Sequence, residues 1–111
     1  MTRDDVVRLV ETFQGEVNNG GFHQFFDNST GNETAEIIRA LEMIKAPKAA
    51  DIVKRAAAKF PGGMPPKNRI ARQKLLLESV DPELRVFSGL DQEFYAYSDD
   101  LTGLLEDYMG V

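Results

Sequence analysis

Cysteine is absent from the 111 residues, which excludes a disulfide framework and a thiolate metal site. Histidine occurs once, as His23, too few to complete the Glu-x-x-His pairs of a helical di-metal centre. The Asp-x-Asp-x-Asp-Gly spacing of a calcium loop is missing too. No metal and no cofactor are expected. No apolar run approaches the roughly 20 residues of a membrane-crossing helix. The start, MTRDDVVRLV, lacks the basic-then-apolar order of a signal peptide. No membrane association and a cytoplasmic location are therefore expected. Neither Gly20-Gly21 nor Gly62-Gly63 has the Gly-Lys-Ser/Thr ending of a phosphate loop. No Gly-x-Ser-x-Gly elbow surrounds Ser29 or Ser79. Period-two alternation is also missing, so no significant sheet is expected.

What is present is helical. Hydrophobic residues make up 42% and charged residues 28%, the balance of an ordinary globular chain. The length suits one domain over 1–111 with one core. Val6, Val10, Phe13 and Val17 recur at intervals of four, three and four, a helical stripe. Thr2 and Asp5 can form a capping box at its start. Asn32 is placed to cap a next helix with Ile37, Ile38, Leu41 and Ile44 inward. Pro47 suits the first turn of another, carrying Ile52, Val53, Ala56, Ala57 and Phe60. Phe60-Pro61-Gly62-Gly63-Met64-Pro65-Pro66 reads as a rigid loop. Pro66 can open a helix with Ile70, Leu76, Leu77 and Val80 on its apolar side. Asp81-Pro82 resembles a cap and a first turn. Ser98, Asp99 and Asp100 precede a last helix with Leu101, Leu104, Leu105 and Tyr108 inward. The expected architecture is an all-α bundle of about five to seven helices with short loops.

The densest signal is EVNNGGFHQFFDNSTG, Glu16 to Gly31. Asn18-Asn19-Gly20-Gly21 has the composition of a chain reversal, since Gly tolerates positive φ and Asn bonds locally to backbone. It is expected to stop the first helix. Phe22, Phe25 and Phe26 then follow at one-turn spacing, with Gln24 and Asn28 among them. A helix that short cannot hold itself by backbone bonds alone. Its phenylalanines are expected to anchor it, at least two of them buried.

Charge falls into three blocks. Residues 1–44 carry eight acids against three bases, 45–77 nine bases against Asp51, and 78–111 nine acids against Arg85, giving the net −5. The basic block lacks aromatics for base stacking. It reads as solvated helix faces paired to the acidic ends, not as a direct nucleic-acid surface. The acidic tail is sharper. Glu106 and Asp107 sit near a helix end, where acids oppose the dipole, which suggests a basic partner. Asp91, Glu93, Asp99, Asp100, Glu106 and Asp107 are the candidate partner-binding residues. Phe94, Tyr95 and Tyr97 lie among them, as core or as interface anchors. His23 precedes Asp27 by four residues, within reach on a helix. A lone His in an aromatic turn is first a packed or surface residue.

Three places together resemble a bacterial family of small domains named for a DNA-mimic protein. They are Asn18-Asn19-Gly20-Gly21-Phe22 with Gln24, Phe25, Phe26 and Asn28; the helix pair Thr34 to Phe60 ending in Phe60-Pro61-Gly62-Gly63; and Phe94-Tyr95-Ala96-Tyr97 followed by Asp99-Asp100-Leu101. The resemblance implies an all-helical, non-catalytic domain. It also implies an acidic homodimer whose carboxylates imitate DNA phosphates on the DNA-binding face of a transcriptional regulator. The function expected is a non-enzymatic protein-binding module acting as an acidic DNA mimic toward a basic DNA-binding protein. The alternatives are an immunity or inhibitor protein for a toxin or enzyme, and an enzyme built around His23.

Overall fold

The computed structural model describes residues 1–110. Six α-helices follow one another: α1 Arg3–Asp27, α2 Thr34–Met43, α3 Pro47–Ala57, α4 Arg69–Leu75, α5 Ser88–Tyr97 and α6 Leu101–Met109. Short 3₁₀ turns at Ser29–Glu33 and Pro61–Gly63 and a π-helical turn at Leu76–Val80 complete the helical content. There is no strand among the described residues. No helix among them is long and apolar enough to cross a membrane.

α1 is the central element, touching α2, α4, α5 and α6. Thr2 and Asp5 form the capping box, with Thr2 N–H donating to Asp5 Oδ2 at 2.9 Å and Asp5 N–H to Thr2 Oγ1 at 3.1 Å. The expected stop at Asn18–Gly21 is a kink instead. Gly20 (φ −151°, ψ 18°) and Gly21 (φ 72°, ψ −170°) leave helical geometry, and the helix resumes at Phe22. Phe22, Phe25 and Phe26 are fully buried. Phe26 packs on Phe25, Phe60 and Phe87, with ring centroids 5.1, 4.9 and 5.3 Å away. Phe13 meets Phe25 and Phe94 edge to face. This aromatic cluster joins α1 to the turn after α3 and to α5.

Several boundaries differ from the sequence reading. Asn32 does not cap α2; it lies inside the 3₁₀ turn, and Glu33 precedes the helix without a side-chain cap. Pro47 does open α3. Asn68, not Pro66, starts α4, accepting the Ala71 N–H at 2.9 Å. Ile70 and Leu77 are 77% and 52% exposed, so the apolar side proposed for that helix is wrong there; Leu76 is buried and Val80 half-buried. The position facing the core at the start of α4 is Arg72. No helix follows Asp81-Pro82; Asp81 braces a turn through the Arg85 and Val86 N–H groups at 2.7 and 2.8 Å.

Arg72 is fully buried without an ion-pair partner among the described residues. Its guanidinium donates to four carbonyl oxygens: Phe26 at 2.6 Å, Asn28 at 2.8 Å, Pro66 at 3.0 Å and Lys67 at 3.1 Å. The first two belong to the C-terminal end of α1, where carbonyls lack helical partners and the dipole favours a cation. Burial lowers its pKa from the ordinary value, yet a guanidinium stays charged. Gly31 makes room for it, since a Cβ there would lie 2.6 Å from Arg72 Nε.

Candidate functional site

The kink of α1 explains the residue types around it. A Cβ on Gly20 would fall 2.1 Å from Gln24 Oε1, and one on Gly21 2.5 Å from Asp91 Oδ2. Both glycines therefore admit a close side chain, and Gly21 also supplies the positive φ. Glu16 spans the kink, accepting from Gln24 Nε2 at 2.7 Å and Asn28 Nδ2 at 3.0 Å. Asn19 Nδ2 donates to Gln24 Oε1 at 3.2 Å. Asn18 is exposed. The motif thus buries three phenylalanines and binds its polar members to one another.

The acidic candidates have separate positions. Asp91, from α5, accepts the Phe22 N–H at 2.9 Å and caps the resumed segment of α1. Burial raises its pKa, against the lowering effect of that bond; Asp81 adds to the rise and His23 opposes it. Glu93 forms a two-pronged pair with Arg55, which lowers the Glu93 pKa and raises that of Arg55. Asp99 Oδ2 accepts the Lys48 and Ala49 N–H groups at 2.8 and 3.0 Å and caps α3 from fifty residues away. Asp100 caps α6 through the Gly103 N–H at 3.1 Å. Glu106 and Asp107 are exposed. Asp99, Asp100, Glu106 and Asp107 take part in no ion pair among the described residues.

The basic block meets the acids outside it as expected: Lys54 pairs with Glu42 at 3.2 Å, Lys67 with Glu36 at 2.6 Å, and Arg55 with Glu93. Arg55 also reaches Asp51 one turn away, at 2.9 Å. His23 does not pair with Asp27. Its Nδ1 lies 2.8 Å from Oδ2 of the buried Asp81. The pair ties the kink to the turn before α5. Among the described residues no group of three or more His, Cys, Asp or Glu side chains is arranged to hold a metal ion.

Phe94 is core, whereas Tyr95 is 53% exposed and anchors its hydroxyl on the Val17 carbonyl at 2.6 Å. The side chain of Tyr97 lies outside the described residues. Tyr95 borders a cleft of about 240 Å³ between α1 and the α5–α6 junction, with Gln14, Asn18, Ser98, Asp99 and Asp100 on its walls. Gln14 carried no sequence signal, and Ser98 only that of a helix start. A second surface feature also went unread. Ile70, Leu77, Leu84 and Val86 are all exposed within seventeen residues.

No match was found among the curated proteins or among the solved structures. The model of a family described as DMP19-like protein matches residues 2–110, all but the first and last residue. The match spans all six helices, and the chain belongs to the DMP19-like proteins.

Proposed function

We propose that this chain is a non-enzymatic protein-binding module that acts in the cytoplasm as an acidic mimic of DNA, occupying the DNA-binding face of a basic regulator. The observation that carries this reading is the segment from Ser98 to Met109. It holds Asp99, Asp100, Glu106 and Asp107, contains no base, and takes part in no ion pair among the described residues. A basic partner meets unneutralised carboxylates there. Elsewhere three cations of the basic block are engaged with Glu36, Glu42 and Glu93. Membership of the family supports the same direction. Attraction of this kind speeds encounter and weakens with salt.

The test is capture on the immobilised protein from a native-cell extract. The expected catch is a DNA-binding protein that elutes as salt rises from about 0.05 to 0.5 M, where the screening length shrinks to a few ångström, and that is displaced by duplex DNA. Capture indifferent to both salt and DNA overturns the mimic. The exposed aliphatic group Ile70, Leu77, Leu84 and Val86 favours a second reading, an inhibitor or immunity protein docking through apolar contact. Its signature is salt-independent capture abolished by Leu77→Asp.

A further inference from the structure

The cleft at the α5–α6 junction has the chemistry of a receptor for one guanidinium group. Two of its walls are the carboxylates of Asp99 and Asp100. Each spends a single oxygen on capping: Asp99 Oδ2 on Lys48 and Ala49, Asp100 Oδ1 on Gly103. The other oxygen of each takes no hydrogen bond among the described residues. Ser98 Oγ is shielded from solvent and has no hydrogen-bond partner among the described residues, an unusual state for a hydroxyl. Gln14 and Asn18 add amide carbonyl acceptors from the α1 wall. Tyr95 supplies an aromatic side, held in place by its bond to Val17 and half-exposed. Lys48, the lysine next to the cleft, gives Asp99 its backbone N–H and forms no ion pair with it among the described residues.

The geometry points to a binding site for an arginine side chain of a basic protein partner, an inference that rests on the protein-binding reading above. Two free carboxylate oxygens, a shielded hydroxyl and amide carbonyls match the five fixed donors of a guanidinium, and the Tyr95 ring offers a face for its plane. A lysine ammonium is compact and strongly hydrated and cannot use the planar wall in this way. The cleft therefore selects arginine over lysine, which a diffuse acidic surface does not do.

The probes are N-acetyl-arginine methylamide and its lysine counterpart, titrated at low salt into the ¹⁵N-labelled full chain. The expected result is saturable shifting confined to Gln14, Asn18 and the amides from Tyr95 to Gly103, with the lysine probe several-fold weaker. The double change Asp99→Asn and Asp100→Asn keeps both caps, because Asn accepts the same backbone bonds. It should weaken the arginine probe about tenfold, the usual scale of a lost charge-assisted bond, with an unchanged spectrum elsewhere. Ser98→Ala should weaken it without altering the helices. Equal response to both probes, shifts spread over Glu106 and Asp107 as well, or binding undiminished in the double variant overturns the site. A captured regulator whose binding survives the double variant sinks the cleft and leaves the module. Arginine binding in the cleft with no salt-sensitive partner in the capture experiment sinks the mimic and leaves the cleft.

Discussion

Asp91 on α5 and Phe22 in the last two turns of α1 are 69 residues apart in sequence and joined by a single hydrogen bond of 2.9 Å from the Phe22 N–H to Asp91 Oδ1. That bond caps the short segment of α1, Phe22 to Asp27, that resumes after Gly21. Asp91→Ala leaves a partly buried N–H without a partner and should cost about 1–3 kcal/mol, read as a lower urea midpoint at unchanged m-value. Asp91→Asn keeps an acceptor and should cost less.

Asp91 and Glu36 should answer acid in opposite directions. Burial raises the Asp91 pKa, so its ionised form is disfavoured in the fold. That penalty is present above the folded pKa and relieved as pH falls toward the unfolded value near 4. The stability of Asp91→Asn relative to the parent should therefore be greater at pH 7 than at pH 4. The hydrogen bond from Lys67 lowers the Glu36 pKa. Its contribution is present above the unfolded value and lost as pH falls through the folded one. Glu36→Gln should thus be the less stable at pH 7 and approach the parent below pH 4. Urea melts at a series of pH values check both signs.

Phe26→Ala should cost about 3–5 kcal/mol, the usual range for emptying a buried aromatic position. Its ring touches Phe25, Phe60 and Phe87, so the vacancy opens between α1, the turn after α3 and the start of α5. Phe22→Ala belongs in the same range. A melting temperature within a degree or two of the parent for both would remove them from the core.

Two glycines of α1 should respond oppositely to alanine. Gly15 has open space around its would-be Cβ, and Gly15→Ala should stabilise by about 0.5–1 kcal/mol through helix propensity. Gly21→Ala meets both the positive φ of 72° and the Asp91 carboxylate. It should be clearly destabilising by thermal melt, through the strained backbone conformation and the displaced cap.

Replacing Arg72 by Met removes the donor to four carbonyls, and each one left buried without a partner should cost about 1–3 kcal/mol. The loss should open the α1–α4 contact first, visible as faster amide exchange across Asn68–Leu75. Arg72→Lys should fail to rescue it, since an ammonium cannot reach four carbonyls spread along a planar fork.

The helices were legible because their cores repeat at 3.6 residues. Val6, Val10, Phe13 and Val17 are all buried, and Pro47 and Asp100 start helices where they were expected to. The capping box of Thr2 and Asp5 was local, and so it could be read. What escaped was long-range. Asp91, Asp99 and Asp81 brace backbone N–H groups, and two of them serve helices that begin elsewhere in the chain. No spacing rule links residue 99 to residue 48. The acidic tail therefore showed its local cap at Asp100 and its surface charge, but not the cap that Asp99 gives to α3. Spacing offers His23 only Asp27 within helical reach, while its actual partner, Asp81, lies 58 residues away. Arg72 was counted with its charged neighbours because a lone buried guanidinium leaves no periodic trace. The π turn after it helped hide the outward position of Leu77, since an extra residue in a turn breaks the helical register.

Every acceptor of Arg72 is a main-chain carbonyl, which makes the junction indifferent to spelling. Pro66 and Lys67 offer it oxygens that any residue able to follow the same path would offer equally. Lys67 and Asn68 do have side-chain duties, the pair with Glu36 and the cap of α4, but the bonds to Arg72 survive any substitution that keeps the backbone path. In this fold the stretch leading into α4 can therefore change its surface without renegotiating the Arg72 anchor, provided that the α4 cap at Asn68 and the Lys67 pair are kept.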